Sequence, residues 1–145
     1  MSKSNVFETD LLELIFNGTA IADLAENDTT SPATNLHVAL FTADPGETGT
    51  LTSEANYTDY ARVAVARSGA GWTVSGNAVT PAAEIAFPQA AAGYAGSETI
   101  THFGVLVGAT QEAGYLIYSG TVTPNIALSA GVTPRLTTAS SITED

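Results

Sequence analysis

Asn35-Leu36-His37-Val38-Ala39-Leu40-Phe41-Thr42 is the stretch that sets the fold class. Leu36, Val38 and Leu40 fall on one side and His37, Ala39 and Phe41 on the other, the period-two alternation of a β-strand. Asp44-Pro45-Gly46 follows with turn residues, and Glu47 to Tyr57 is a polar loop rich in Thr and Gly. Further strand candidates are Tyr60–Arg67, Gly71–Val74, Ala78–Thr80, Glu84–Phe87, Ile100–Gly108, Tyr115–Val122, Ile126–Leu128 and Val132–Thr138, each short and bounded by Gly, Pro, Ser or Asn. Ser75-Gly76-Asn77 is short enough for a hairpin turn, and Ala109 to Gly114 joins another pair by a longer one. No segment between strands is long and periodic enough for a crossover helix, so the strands should run antiparallel. The expectation over residues 35–145 is a mainly-β, antiparallel two-sheet sandwich with a jelly-roll or other Greek-key path.

Upstream, residues 1–34 read as an N-terminal helix or arm and a loop. The helix runs from about Asn5 to Phe16, with Asn5 as N-cap, Glu8 placed for a capping box, and Asn17-Gly18 as its close. Phe7, Leu11, Leu14 and Ile15 share a face that Leu12 and Phe16 widen. So wide an apolar arc suits two readings: a plug for the chain's own core, or an arm that also touches a neighbouring subunit. Ala20 to Leu24 could extend the helix, and residues 26–32 form a loop. The acidic end, Ile142-Thr143-Glu144-Asp145, reads as solvated.

The chain has 145 residues, room for one domain, and a formal charge of −11 from four Lys and Arg against fifteen Asp and Glu. That balance opposes a grip on nucleic-acid phosphates, so no nucleic-acid partner is expected. Without cysteine, a disulfide framework, thiolate catalysis and cysteine-ligated metal sites are excluded. No signal-peptide pattern and no apolar run near the ~20 residues of a membrane span is visible, so the expectation is a soluble protein with no membrane partner. Charged residues are only 13% of the chain, while 24 Ala, 21 Thr and 13 Gly make a small-residue, hydroxyl-rich surface.

Chemistry-bearing residues are few. His37 and His102, the two histidines, both lie in strand candidates, and no Gly-x-Ser-x-Gly elbow is present to place a nucleophile. Asp44 with Glu47, or Glu26 with Asp28, could clasp a hard cation, but neither pair matches a calcium-loop spacing. Gly69-Ala70-Gly71 lacks the helix that would aim amides at a phosphate. The expectation is no enzyme, no metal and no cofactor. An edge problem remains: sheets guard open edges with Lys, Pro or inward charges, and this chain has one Lys, at position 3. Either its own loops and N-terminal arm cover the edges, or copies pack together permanently through low-charge surfaces.

Three blocks, Met1 to Ala22, Leu36-His-Val-Ala-Leu-Phe-Thr-Ala-Asp-Pro-Gly46 and Tyr60-Ala-Arg-Val-Ala-Val65, resemble a family of small tailed-bacteriophage virion proteins. The pattern continues through Thr101-His-Phe-Gly-Val105 and Leu116-Ile-Tyr-Ser-Gly-Thr-Val122. The resemblance implies a structural virion protein, assembled in the bacterial host cytoplasm, with no catalytic residues to transfer. The leading expectation is a capsid decoration (cement) protein that binds the outer surface of the major capsid protein as a homotrimer and stabilises the mature head; the alternative is a tail or tail-fibre component. Phe7, Leu11, Leu14, Ile15 and Phe16 are the candidate docking arm. Arg62 and Arg67 are candidates for inter-subunit ion pairs or a plain exposed strand face. A reading of another class is a surface carbohydrate-binding module, with Trp72, Tyr57, Tyr60 and Tyr94 as the available platform.

Overall fold

The computed structural model describes residues 5–21, 33–46 and 48–144, with side chains in the first helix from Glu8 onward. The protein is mainly β, with antiparallel sheets and a short N-terminal helix. It is drawn from two compact units through which the chain passes alternately. One comprises Met1–Leu36, Val65–Ile85 and Leu136–Asp145, the other His37–Ala64 and Ala86–Arg135. The units therefore do not divide at the expected 34/35 boundary. The helix needs a sheet to cover its apolar side, and that sheet comes from later segments.

In the first unit, α1 (Asn5–Leu12) passes into a π-type turn over Glu13–Asn17 that ends at Gly18, whose left-handed φ of 70° closes the helix with its N–H on the Glu13 carbonyl. The expected close at Asn17-Gly18 is therefore present, whereas the helix does not continue through Ala20 and Ile21; residues 22–24 lie outside the described ones. Residues 1–4 lie outside the described ones, and with them the test of Asn5 as N-cap. Against α1 lies the hairpin β3 (Trp72–Ser75) and β4 (Ala78–Pro81), turned at Gly76 with φ 61°. Phe16 meets Trp72 edge to face at 4.6 Å, and Thr9 Oγ1 donates to the Gly76 carbonyl at 2.6 Å.

A third strand, β9 (Ile142–Thr143), pairs antiparallel with β4, Val79 opposite Ile142. Glu144 N–H donates to the Asn77 carbonyl at 2.8 Å, and Asn77 Nδ2 to the Glu144 carbonyl at 3.1 Å. The expected solvated end is thus corrected over residues 142–144: Ile142 covers part of the outer edge of β4.

Most of the second unit is the sheet ordered β2-β1-β6-β7, with β2 Val63–Ala66, β1 Asn35–Phe41, β6 Thr99–Val107 and β7 Tyr115–Ala127, of which the unit takes β1 from His37 and β2 up to Ala64. β1 pairs antiparallel with β6 from His37 opposite Leu106 to Phe41 opposite His102. Both faces of β1 are covered, since Val38, Ala39, Leu40 and Phe41 are all buried. Ala39, Phe41 and Leu106 form a core cluster under Leu51 and Leu116. Gly104 lets Phe41 and Leu116 pack closely, since a Cβ there would come within 2.7 Å of Leu116 Cδ1 and 2.8 Å of Phe41 Cε2 and force both side chains to shift. β7 is one strand where two were expected. The Thr123-Pro124 step, which reads as a stop, lies inside an irregularity of the ladder between Ile126 and Thr121, and the chain pairs with β6 on both sides of it. Two short strands, β5 (Ile85–Ala86) and β8 (Arg135–Leu136), make a separate ladder. Among the described residues no helix is long and apolar enough to cross a membrane.

Candidate functional site

The most concentrated polar arrangement in the second unit surrounds Glu54 and Arg62. Glu54 is placed by its bridge to Phe41 and by the neighbouring Ala55 N–H on the Leu40 carbonyl at 2.8 Å. Arg62 stands immediately before β2. Both side chains have 0% exposure, so each has lost its water and must be satisfied by protein. The carboxylate takes a bidentate grip from Arg62, Nε on Oε1 and Nη2 on Oε2, each at 2.7 Å. It also accepts the Tyr60 hydroxyl at 2.9 Å and the Glu112 N–H at 2.7 Å.

The remaining Arg62 nitrogen, Nη1, donates to the carbonyls of Gly108 at 2.8 Å and Ala113 at 2.7 Å. Gln111 Nε2 adds a bond to the Ala55 carbonyl at 2.8 Å. The pair therefore fastens the connection between β6 and β7 to the loop that precedes β2. Two neighbours respond to it. Burial first, and then Glu54, pushes the Tyr60 hydroxyl far above the usual phenol range, although the Leu40 N–H and Arg62 act the other way. Burial and the Arg62 charge hold His37 below its ordinary value, and its Nδ1 has no hydrogen-bond partner among the described residues.

Beside this cluster Tyr57, Tyr60, Phe87 and Tyr94 form an aromatic group. Tyr57 meets Tyr60 at 5.3 Å and Tyr94 at 6.3 Å, and Tyr60 stacks on Phe87 at 6.5 Å. Tyr57 is buried, its hydroxyl donating to the Pro88 carbonyl at 2.7 Å, while Tyr94 stays half-buried. Trp72 belongs to the other unit and is buried against Phe16. Of the four rings considered as a glycan platform, Tyr57 and Trp72 are covered by the chain's own packing.

Arg62, a candidate for an ion pair between subunits or for a plain exposed strand face, is buried and makes its ion pair within its own chain. Arg67 donates to the carbonyls of Leu14 and Ile15 and so supplies donors to the end of the N-terminal helix; burial lowers its pKa. Within the docking-arm set, Phe16 is buried inside the first unit, Leu11, Leu14 and Ile15 are half-buried, and the Phe7 side chain lies outside the described residues. His102 shares a 2.8 Å hydrogen bond with the adjacent Thr101 hydroxyl. Asp44 accepts the Gly46 N–H at 2.9 Å, a turn contact, while Glu47, Glu26 and Asp28 lie outside the described residues. Among the described residues no cluster of His, Asp and Glu could hold a metal ion.

Sequence reasoning missed Glu54, Gln111 and Glu112. The one available signal was the scarcity of cations: an arginine among alternating valines, in a chain with so few, needs an acid, but nothing in the local pattern points to Glu54.

A comparison with protein families matches residues 2–143 to a family described as podophage GP4 fiber I protein gp80. No curated protein matches the chain.

Proposed function

The chain belongs to the podophage GP4 fiber I protein family, and from that premise we propose that it is a structural component of a fibre on the virion, acting by holding position rather than by turnover. The observation that carries this reading is the extent of the family match, residues 2–143 of 145. The geometry agrees with it. The best-developed polar cluster among the described residues, Glu54 with Arg62, is closed to water and spent on backbone and on its own countercharge, an arrangement suited to holding position. The fibre location takes precedence over capsid cement because the family is described as a fibre protein. Assembly of several copies, a trimer first among them, stays part of the proposal. Its support is the shortage of cations to guard strand edges, of which β7 is the longest described.

An electron-microscopy map of the intact particle, with this chain traced in it, tests the proposal. Density in a fibre or at its base is the expected result. Density on the outer head shell alone would replace the fibre reading with the cement one, and the number of copies around the local axis would fix the oligomer.

A further inference from the structure

Val107 and Tyr115 face each other across the hairpin of β6 and β7, and they are the exposed large hydrophobic residues among those described, at 40% and 71%. The connection between them is a surface loop of the kind that is ordinarily free to move. Here it is tied down through Gly108, Gln111, Glu112 and Ala113 to the buried Glu54–Arg62 pair and to Ala55. The loop also holds Glu112 at φ 55°, a left-handed backbone conformation that glycine or asparagine adopts at lower cost. The Glu112 side chain is exposed, with no partner among the described residues. Glycine would adopt this conformation at lower cost, and what glutamate adds in its place is an exposed carboxylate at the tip.

We propose that this hairpin tip, with Tyr115 and Val107 as its apolar anchor and Glu112 as its charge, is a pre-formed docking surface for a different protein of the virion, one that offers an apolar pocket rimmed by Lys or Arg. The proposal rests on the fibre reading given above and deepens it. Tyrosine is the kind of side chain that carries binding energy at the centre of an interface. The internal ties mean that little ordering remains to be done on contact. Charge selects the occupant of this tip: a second copy meeting it with the same tip would set like carboxylates against each other, whereas a basic surface is complementary to Glu112 and to the chain's net charge of −11.

The test uses a podophage with an amber stop in the gene for this chain, grown on cells that supply either the wild-type chain or a variant. Copies of the chain per purified virion, and the rate of its loss on washing at rising salt, are measured by quantitative mass spectrometry. Wild-type chain is expected to be incorporated and to dissociate faster as salt rises. Tyr115→Ser, at an exposed position, should dissociate at least about tenfold faster, since interface truncations act mainly on the off-rate. Glu112→Gln should show a weaker salt dependence. Glu112→Gly should melt at the same or a higher temperature as a purified protein yet dissociate faster. Incorporation and dissociation of all three variants at wild-type levels would overturn the tip as the contact and leave the fibre reading standing. Failure of the wild-type chain to appear in virions would overturn both.

Discussion

Glu54 and Arg62 are the residues whose loss should cost most. Removing one leaves the other as a charge without water or a partner, so Arg62→Met is expected to destabilise the protein by about 3–5 kcal/mol. Adding Glu54→Leu to it should return part of that loss. Denaturant unfolding of the two singles and the double closes the cycle, and a double mutant no better than the worse single would mean that the pair is not the source of the cost. Tyr57 gives a prediction in pH. Burial, and then the charge of Glu98, pushes its hydroxyl up to about 12, above the value of about 10 for an unfolded chain. The unfolded chain gives up this proton first. The stabilisation is therefore complete below about pH 10 and drains away as the pH climbs from there toward 12. Tyr57→Phe should lose about 1 kcal/mol at neutral pH with its hydrogen bond to Pro88, but its stability should decline less steeply in alkali, read from unfolding curves at neutral pH and above about pH 10. Tyr60 shifts in the same direction, so some decline should persist. From the sequence Arg62 was conspicuous and its partner was not, because Glu54 lies in a loop without a period, and loops pair through space.

The N-terminal helix shows how an element depends on distant sequence. Its last carbonyls face Arg67, supplied from beyond the end of β2. Arg67→Met should leave the carbonyls of Leu14 and Ile15 short of donors, cost about 1–3 kcal/mol, and speed amide exchange at Gly18 and Thr19, whose N–H groups bond to Glu13. Unchanged exchange there would mean that Arg67 does not support the turn. The helix itself was legible from its apolar spacing and its Asn-Gly close, and the strands β1, β3, β4 and β6 from alternation and bounding turn residues. Two elements were not. β7 runs on past Thr123-Pro124 because its ladder with β6 resumes at Ile126, a pairing fixed by the neighbour and not by local propensity. β9 offers two residues, too few for any period, and exists because β4 has an edge for Ile142 to cover. The tip residues Glu112 and Tyr115 were missed for a related reason: their interest lies in conformation and exposure, which residue type does not announce.

A net charge of −11 on 145 residues works against a compact state, and the internal engagement of Arg62 and Arg67 leaves few cations to offset it outside. Raising the ionic strength from about 0.01 M to about 0.5 M, over which the screening length contracts from about 30 Å to a few ångström, should raise the melting temperature. A flat or falling melting temperature would show that the acids are too dispersed to repel. The two units also exchange the chain repeatedly, and the first draws on both its helix and the strand at Ile142–Thr143, which pairs with β4. On a ribosome, which delivers residues in order, the helix emerges early and must wait until residues 142 and 143 have been made before its sheet is complete. Final folding of that unit is thereby deferred until nearly the whole of this stretch has been translated, and a nascent chain stalled before that point should be open to proteases in its first segment even when the β6–β7 hairpin has already formed.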